Sequence, residues 1–176
     1  MFGRRTLELC IGAAVIAGTV GIAREIHRRQ LLGARLRHAL SQENLPVALG
    51  CVRAGADPNL QPARKPTALI LAVAYRDTTA AQELLHAGAD PNREVRWWGQ
   101  PSGYCMPIEE EFRHSALSLS AVNSDPRMVR LLLQNGADPH RRNSRGKIPA
   151  ELARNPRVKK LLLAAERSND ASAGLE

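Results

Sequence analysis

The residues of this 176-residue chain that could carry chemistry are three cysteines, five histidines and a run of three glutamates. A zinc site needs Cys and His at short, regular spacings, and nucleophilic catalysis needs a Ser or Cys within reach of a base. His27, His38, His86, His114 and His140 follow no ligand spacing, and Cys10, Cys51 and Cys105 form no Cys-x-x-Cys pair. Glu109, Glu110 and Glu111 are consecutive, so a helix would turn them to different faces. No glycine-rich phosphate loop, nucleophile elbow or His-Glu helix motif is present. The expected chemistry is therefore recognition without catalysis and without a cofactor or metal. The sparse cysteine usage fits a reducing compartment.

Two stretches carry recognition chemistry. "REVRWWGQPSGYCMPIEEEFRH", Arg93–His114, holds four of the six aromatics in the chain: Trp97, Trp98, Tyr104 and Phe112. Trp, Tyr and Arg are favoured interface anchors. Gly99, Pro101, Gly103 and Pro107 argue against a long helix before Ile108. The stretch reads either as a partner-binding finger or as a long loop folded back on its own domain. The second stretch, "HRRNSRGK" at His140–Lys147, contains Arg141, Arg142 and Arg145. It could attract phosphates or carboxylates, or form a plain solvated face. The net charge of +8 makes acidic proteins, anionic lipid and nucleic acid the candidate classes of partner. No stacking aromatic or reading helix lies beside these arginines, so nucleic acid is not expected.

What must position these stretches is a repeat. "AGADPN" occurs at Ala54–Asn59 and Ala87–Asn92, and "NGADPH" at Asn135–His140. Gly55 and Gly88 are 33 residues apart, and Gly88 and Gly136 are 48 apart. "TALILAV" at Thr67–Val73 and "SALSLSA" at Ser115–Ala121 are also 48 apart, and "IPAELA" at Ile148–Ala153 follows 33 residues later. Two markers in step predict a repeated unit of two short helices and a turn. Gly is placed where the chain turns left-handed, Asp where it can bind local amides, and Pro where renewed helix must be blocked. Apolar positions follow the period: Val47, Leu49, Cys51 and Val52 in the first unit, Leu84 and Leu85 in the second, and Met128, Val129, Leu131, Leu132 and Leu133 in the third. Cys51 falls in the register of Leu84 and Leu132, which makes it a small core residue and not a nucleophile.

The helix-start and "GADP" motifs together resemble the ankyrin repeat over about Leu31–Ala164. The resemblance implies an all-α ankyrin-repeat solenoid of about four helix–turn–helix units that binds a protein partner through its turn fingers and concave helix face. Here that surface would include Trp97, Trp98, Tyr104, Phe112, Arg141, Arg142 and Arg145, with Tyr75 and Arg76 added after the first helix of unit two. Ala68 and Ala116 replace the motif Pro, and the motif His is missing, so the Thr–His hydrogen bonding of the family should be absent or altered. The organisation expected is a short basic tail 1–8, an apolar segment 9–23, a basic linker 24–30, units at 31–63, 64–96, 112–144 and 145–166, an insertion 97–111, and a disordered tail 167–176. The end units read as caps: Arg37 and His38 stand where unit two has Ile70 and Leu71, and Leu161–Leu163 should close the core.

Leu9–Ala23 carries no charge and is flanked by Arg4, Arg5, Arg24, Arg28 and Arg29. Fifteen helical residues span roughly 22 Å against a hydrocarbon core of about 30 Å. The expectation is an N-terminal apolar helix acting as a single-pass anchor, its flanking arginines snorkelling and the repeats in the cytoplasm by the positive-inside rule. Two alternatives stand beside it: a cleaved export signal leaving a periplasmic or secreted protein, and an ordinary helix packed on the first repeat. A membrane-surface adaptor binding anionic lipid through basic fingers is the competing function.

Overall fold

The short apolar runs and Gly-Ala-Asp-Pro corners fold into stacked antiparallel helix pairs. The computed structural model describes residues 3–63, 65–96 and 113–173, with side chains for 22–63, 65–95 and 114–168. In chain order the elements are α1 (Gly3–Ser41), α2 (Leu45–Arg53), α3 (Ala68–Ala74), α4 (Thr78–His86), β1 (Val95–Arg96), β2 (Arg113–His114), α5 (Ala116–Val122), α6 (Pro126–Gln134), α7 (Pro149–Leu152) and α8 (Pro156–Ala173). Apart from the two-residue ladder β1–β2, the regular structure among the described residues is helical, as the repeat predicts.

Hydroxyls and carboxylates start the helices where the period puts them. Thr67 Oγ1 accepts the Ile70 amide at 3.3 Å, and Ser115 Oγ accepts the Ser118 amide at 3.2 Å. Asn44, Asp77 and Asp125 cap the second helix of each pair. Just before them Glu43, Arg76 and Ser124 take φ of 54°, 58° and 56°, and this left-handed residue reverses the chain within a short link. The missing motif His is answered differently in each unit. Ser118 stands in its place in unit three, 3.0 Å from the Ser115 hydroxyl, while Ile70 in unit two offers no polar group. In unit four Ile148 has no hydroxyl, and the Glu151 carboxylate instead accepts the Ile148 amide at 2.9 Å.

At the corners Gly55, Gly88 and Gly136 have φ of 100°, 89° and 81°, where a Cβ would be strained. Asp57, Asp90 and Asp138 each accept the amide two residues on, at 2.9, 2.8 and 2.9 Å. Ala56, Ala89 and Ala137 are buried, so the corners pack close. One role was not legible in the motif itself. Asn59 Nδ2 donates to the Gly88 carbonyl at 2.9 Å while its Oδ1 accepts the Asp90 amide at 2.7 Å. Asn92 makes the same pair to Gly136 and Asp138, at 2.8 and 2.7 Å. Each corner is thus tied to the next by one carboxamide, with equal geometry across the 33-residue and the 48-residue spacing.

A continuous core runs from Leu36 and Leu40 through Leu69, Leu71 and Leu84, then Leu117, Met128 and Leu132, to Val158 and Leu162. Every residue of α3 is buried, as expected of a helix apolar on all sides. Cys51 is buried in register with Leu84 and Leu132. Arg37 and His38 are exposed where Ile70 and Leu71 are buried, so the first unit does present a polar outer face.

Several expectations are corrected. Val47 is 41% exposed because Leu45 and Ala48 face the core instead. Leu163 is 37% exposed, and the last layer is closed by the i, i+4 pair Val158 and Leu162. Residues 24–30 continue the helix that becomes the first helix of unit one, without an intervening break. Helix α8 continues past Arg167 to Ala173.

Two outcomes follow from these bonds. Asn92→Ala strips partners from Gly136 and Asp138 and should cost about 1–3 kcal/mol in urea unfolding, against no change in midpoint if the bridge is incidental. Burial lowers the pKa of His114, which sits in β2 opposite Val95, below the ordinary 6.5. Its folded state then binds protons less readily than the unfolded state, so its contribution is present above the unfolded value of 6.5 and is lost as pH falls below that value through the lowered folded one. Stability should drop as pH is taken below 6.5, and His114→Gln should flatten that slope in denaturation series.

Candidate partner-binding surface

The insertion begins and ends at paired residues. Val95 pairs with His114 and Arg96 with Arg113, antiparallel, so the chain leaves and re-enters the stack at one point. Asn92, three residues before Val95, still reaches Gly136. The extra residues are therefore a guest on the second corner and do not disturb the stacking of units two and three. Trp97, Trp98, Tyr104, Cys105 and Phe112 lie outside the described residues.

The basic stretch sits beside this stem. Arg141 Nε donates to Glu94 Oε1 at 3.1 Å, joining the third corner to the residue before β1. Arg142 Nη1 folds back onto the Gly146 carbonyl at 2.6 Å. Asn143, largely buried, shapes the loop by accepting the Arg145 and Lys147 amides at 2.9 and 3.0 Å. Arg142, Arg145 and Lys147 remain exposed. The patch is thus less cationic than the sequence suggests, because Arg141 spends its charge on Glu94. The role of Asn143 was missed, and its one visible signal was an Asn-x-x-Gly spacing typical of turns.

Tyr75 and Arg76 lie elsewhere. They occupy the α3–α4 link, at the end of the helix pair opposite the corners. The Tyr75 hydroxyl donates to the Glu43 carbonyl at 3.2 Å, and Arg76 Nη2 donates to the Asn123 carbonyl at 2.9 Å. Asn123 in turn donates to Val73 O at 3.1 Å. These bonds splice the links of units one, two and three, so the two residues are not gathered with Arg141, Arg142 and Arg145.

Elsewhere, Arg53 and Glu83 pair at 2.6 Å between units one and two, Arg53 exposed and Glu83 partly so. Arg29, with Arg28 adding to it, lowers the pKa of Glu25 on the exposed part of α1. Among the described residues no group of three His, Cys, Asp or Glu could hold a metal ion. Among them, too, no helix is long and apolar enough to cross a membrane, and the side chains of Leu9–Gly21 lie outside them.

Comparison with known proteins places these features. A family model described as ankyrin repeats (3 copies) matches residues 36–143. The chain is 28% identical over 184 aligned residues to the human mitochondrial disaggregase, covering 76% of this chain and 26% of that protein. It is 37% identical over 87 residues to the mouse 2-5A-dependent ribonuclease, covering 49% of this chain and 10% of the other. It is 42% identical over 52 residues to human ankyrin repeat domain-containing protein 29, covering 30% and 17%. The chain spans about a quarter of the length of the disaggregases it matches. With the corners, caps and shared core described above, the matched span of more than half the sequence makes this chain a member of the ankyrin repeat family.

Proposed function

We propose that the chain is a protein–protein interaction module that engages its partner through the segment 97–112, which holds the insertion 97–111, and through the neighbouring basic turn, held at a membrane by Leu9–Ala23. Ankyrin repeats indicate an interaction module. The observation that carries the finer reading is the β1–β2 ladder: paired strands bring together the two ends of a 16-residue, aromatic-rich segment beside a stack whose corner bonds are kept. Arg142 and Arg145, exposed on the turn that Arg141 joins to Glu94, suit a partner with acidic groups beside an apolar pocket. The tether is supported by α1, one helix from Gly3 to Ser41, which joins the apolar segment to the first unit without a break. The activities of the disaggregase and the ribonuclease are not carried over, since the chain covers only 26% and 10% of them.

Capture of partners from a membrane extract tests the reading. Replacing residues 97–112 with Asn-Gly keeps a two-residue hairpin on the same ladder and should leave the stack folded. It should abolish capture, and Trp97→Ala with Trp98→Ala should weaken it at least about tenfold; undiminished capture by both variants sinks the anchor role. Binding to anionic lipid through the basic turn would instead fall steeply with salt and ignore the tryptophans. For the tether, Val15→Arg with Ile16→Arg adds about 5–7 kcal/mol to insertion and should release the chain from alkaline-washed membranes. Retention of the double variant argues for another mode of attachment.

A further inference from the structure

Two of the three corners have their outward backbone groups taken by the unit before them. Asn59 occupies the Gly88 carbonyl and the Asp90 amide, and Asn92 occupies those of Gly136 and Asp138. The first corner has the same backbone: Gly55 is left-handed and Asp57 accepts the Asn59 amide at 2.9 Å. Yet among the described residues the Gly55 carbonyl and the Asp57 amide have no hydrogen-bond partner. The sequence gives the reason, since no Gly-Ala-Asp-Pro corner precedes Ala54. Helix α1 passes there instead, fastened by Arg28 Nη2 to the Ala54 carbonyl at 3.0 Å. It does not close over the corner. A groove of about 730 Å³ remains, lined by Ile26, Gly33, Pro58, Leu60 and Arg37, and by Arg29, which is paired with Glu25 at 3.0 Å. Ile26 is 52% exposed.

We infer that this edge docks a loop of a partner protein that presents an Asn or Gln carboxamide to Gly55 and Asp57, an apolar side chain to the groove, and a carboxylate to Arg37. A neutral carboxamide donates and accepts through two adjacent atoms, which is what a carbonyl beside an amide requires. An ionised carboxylate has no donor for Gly55, and an ammonium has no acceptor for Asp57. The chain itself uses a carboxamide twice on equivalent backbone, so the docked loop continues an interface already repeated inside the molecule. A second copy does not supply the group from an equivalent corner: Asn59 and Asn92 are both engaged, and the third corner carries His140 at that position. The site is independent of the insertion.

The probe is a phage-displayed library of disulfide-closed loops, selected on the full chain. Gly33→Leu is the control, because a Cβ at Gly33 meets Leu60 Cδ1 at 3.6 Å, an ordinary contact, and Leu is a better helix former than Gly. That variant should fill the groove, and an unfolding midpoint at or above that of the parent chain checks that it folds. Selected loops should share an Asn or Gln at one position, bind at least about tenfold more weakly to the Gly33→Leu chain or after Asn→Leu in the loop, and shift the Asp57 amide resonance. Loops lacking a carboxamide, loops indifferent to Gly33→Leu, or an unmoved Asp57 amide overturn the inference. So does concentration-dependent dimerisation that Gly33→Leu removes, which would make a second copy the occupant.

Discussion

Each helix pair of this chain carries apolar side chains on both flanks, and only a neighbour on each side can take them out of water. Helix α3 shows the constraint most plainly, with all seven residues buried between units one and three. No unit is a domain alone; the folded object is the row. The thin corners follow from this, because Ala56, Ala89 and Ala137 must sit close enough for the next pair to reach the same core. The ends follow as well: Arg37 and His38 face water at one end, and at the other Val158 and Leu162 turn inward while Leu163 does not.

Because burial fixes the spacing between units, polar groups can specify it at little cost. The Asn59 and Asn92 carboxamides satisfy the carbonyl and amide that each left-handed corner leaves pointing outward. On the opposite side Tyr75, Arg76 and Asn123 do the same for the links between helices. The stack is thus registered along two edges with the apolar core between them. This double registration lets 15 more residues than the period allows enter between units two and three without a change in corner geometry.

The electrostatics are local where the sequence suggested a broad basic field. Arg53 meets Glu83, Arg141 meets Glu94, and Lys65 lies 3.8 Å from Glu43, each pair bridging successive units. These partly exposed pairs contribute little stability. Their consequence is that Arg53, Arg141 and Lys65 are each matched to a carboxylate of a neighbouring unit.

The amino-acid order by itself determined the repeat, its period, the left-handed glycines, the capping hydroxyls and the core register of Cys51. All of these are local or periodic, set by the torsional freedom of one residue or by the recurrence of apolar positions. Only the tertiary structure decided what Asn59 and Asn92 hold, because their partners lie 29 to 46 residues away and nothing in the motif names them. It also decided that Tyr75 and Arg76 splice links away from the basic turn, and that Arg141 is claimed by Glu94. Those outcomes depend on how one unit is offset from the next, a quantity fixed by packing and not written in any single unit.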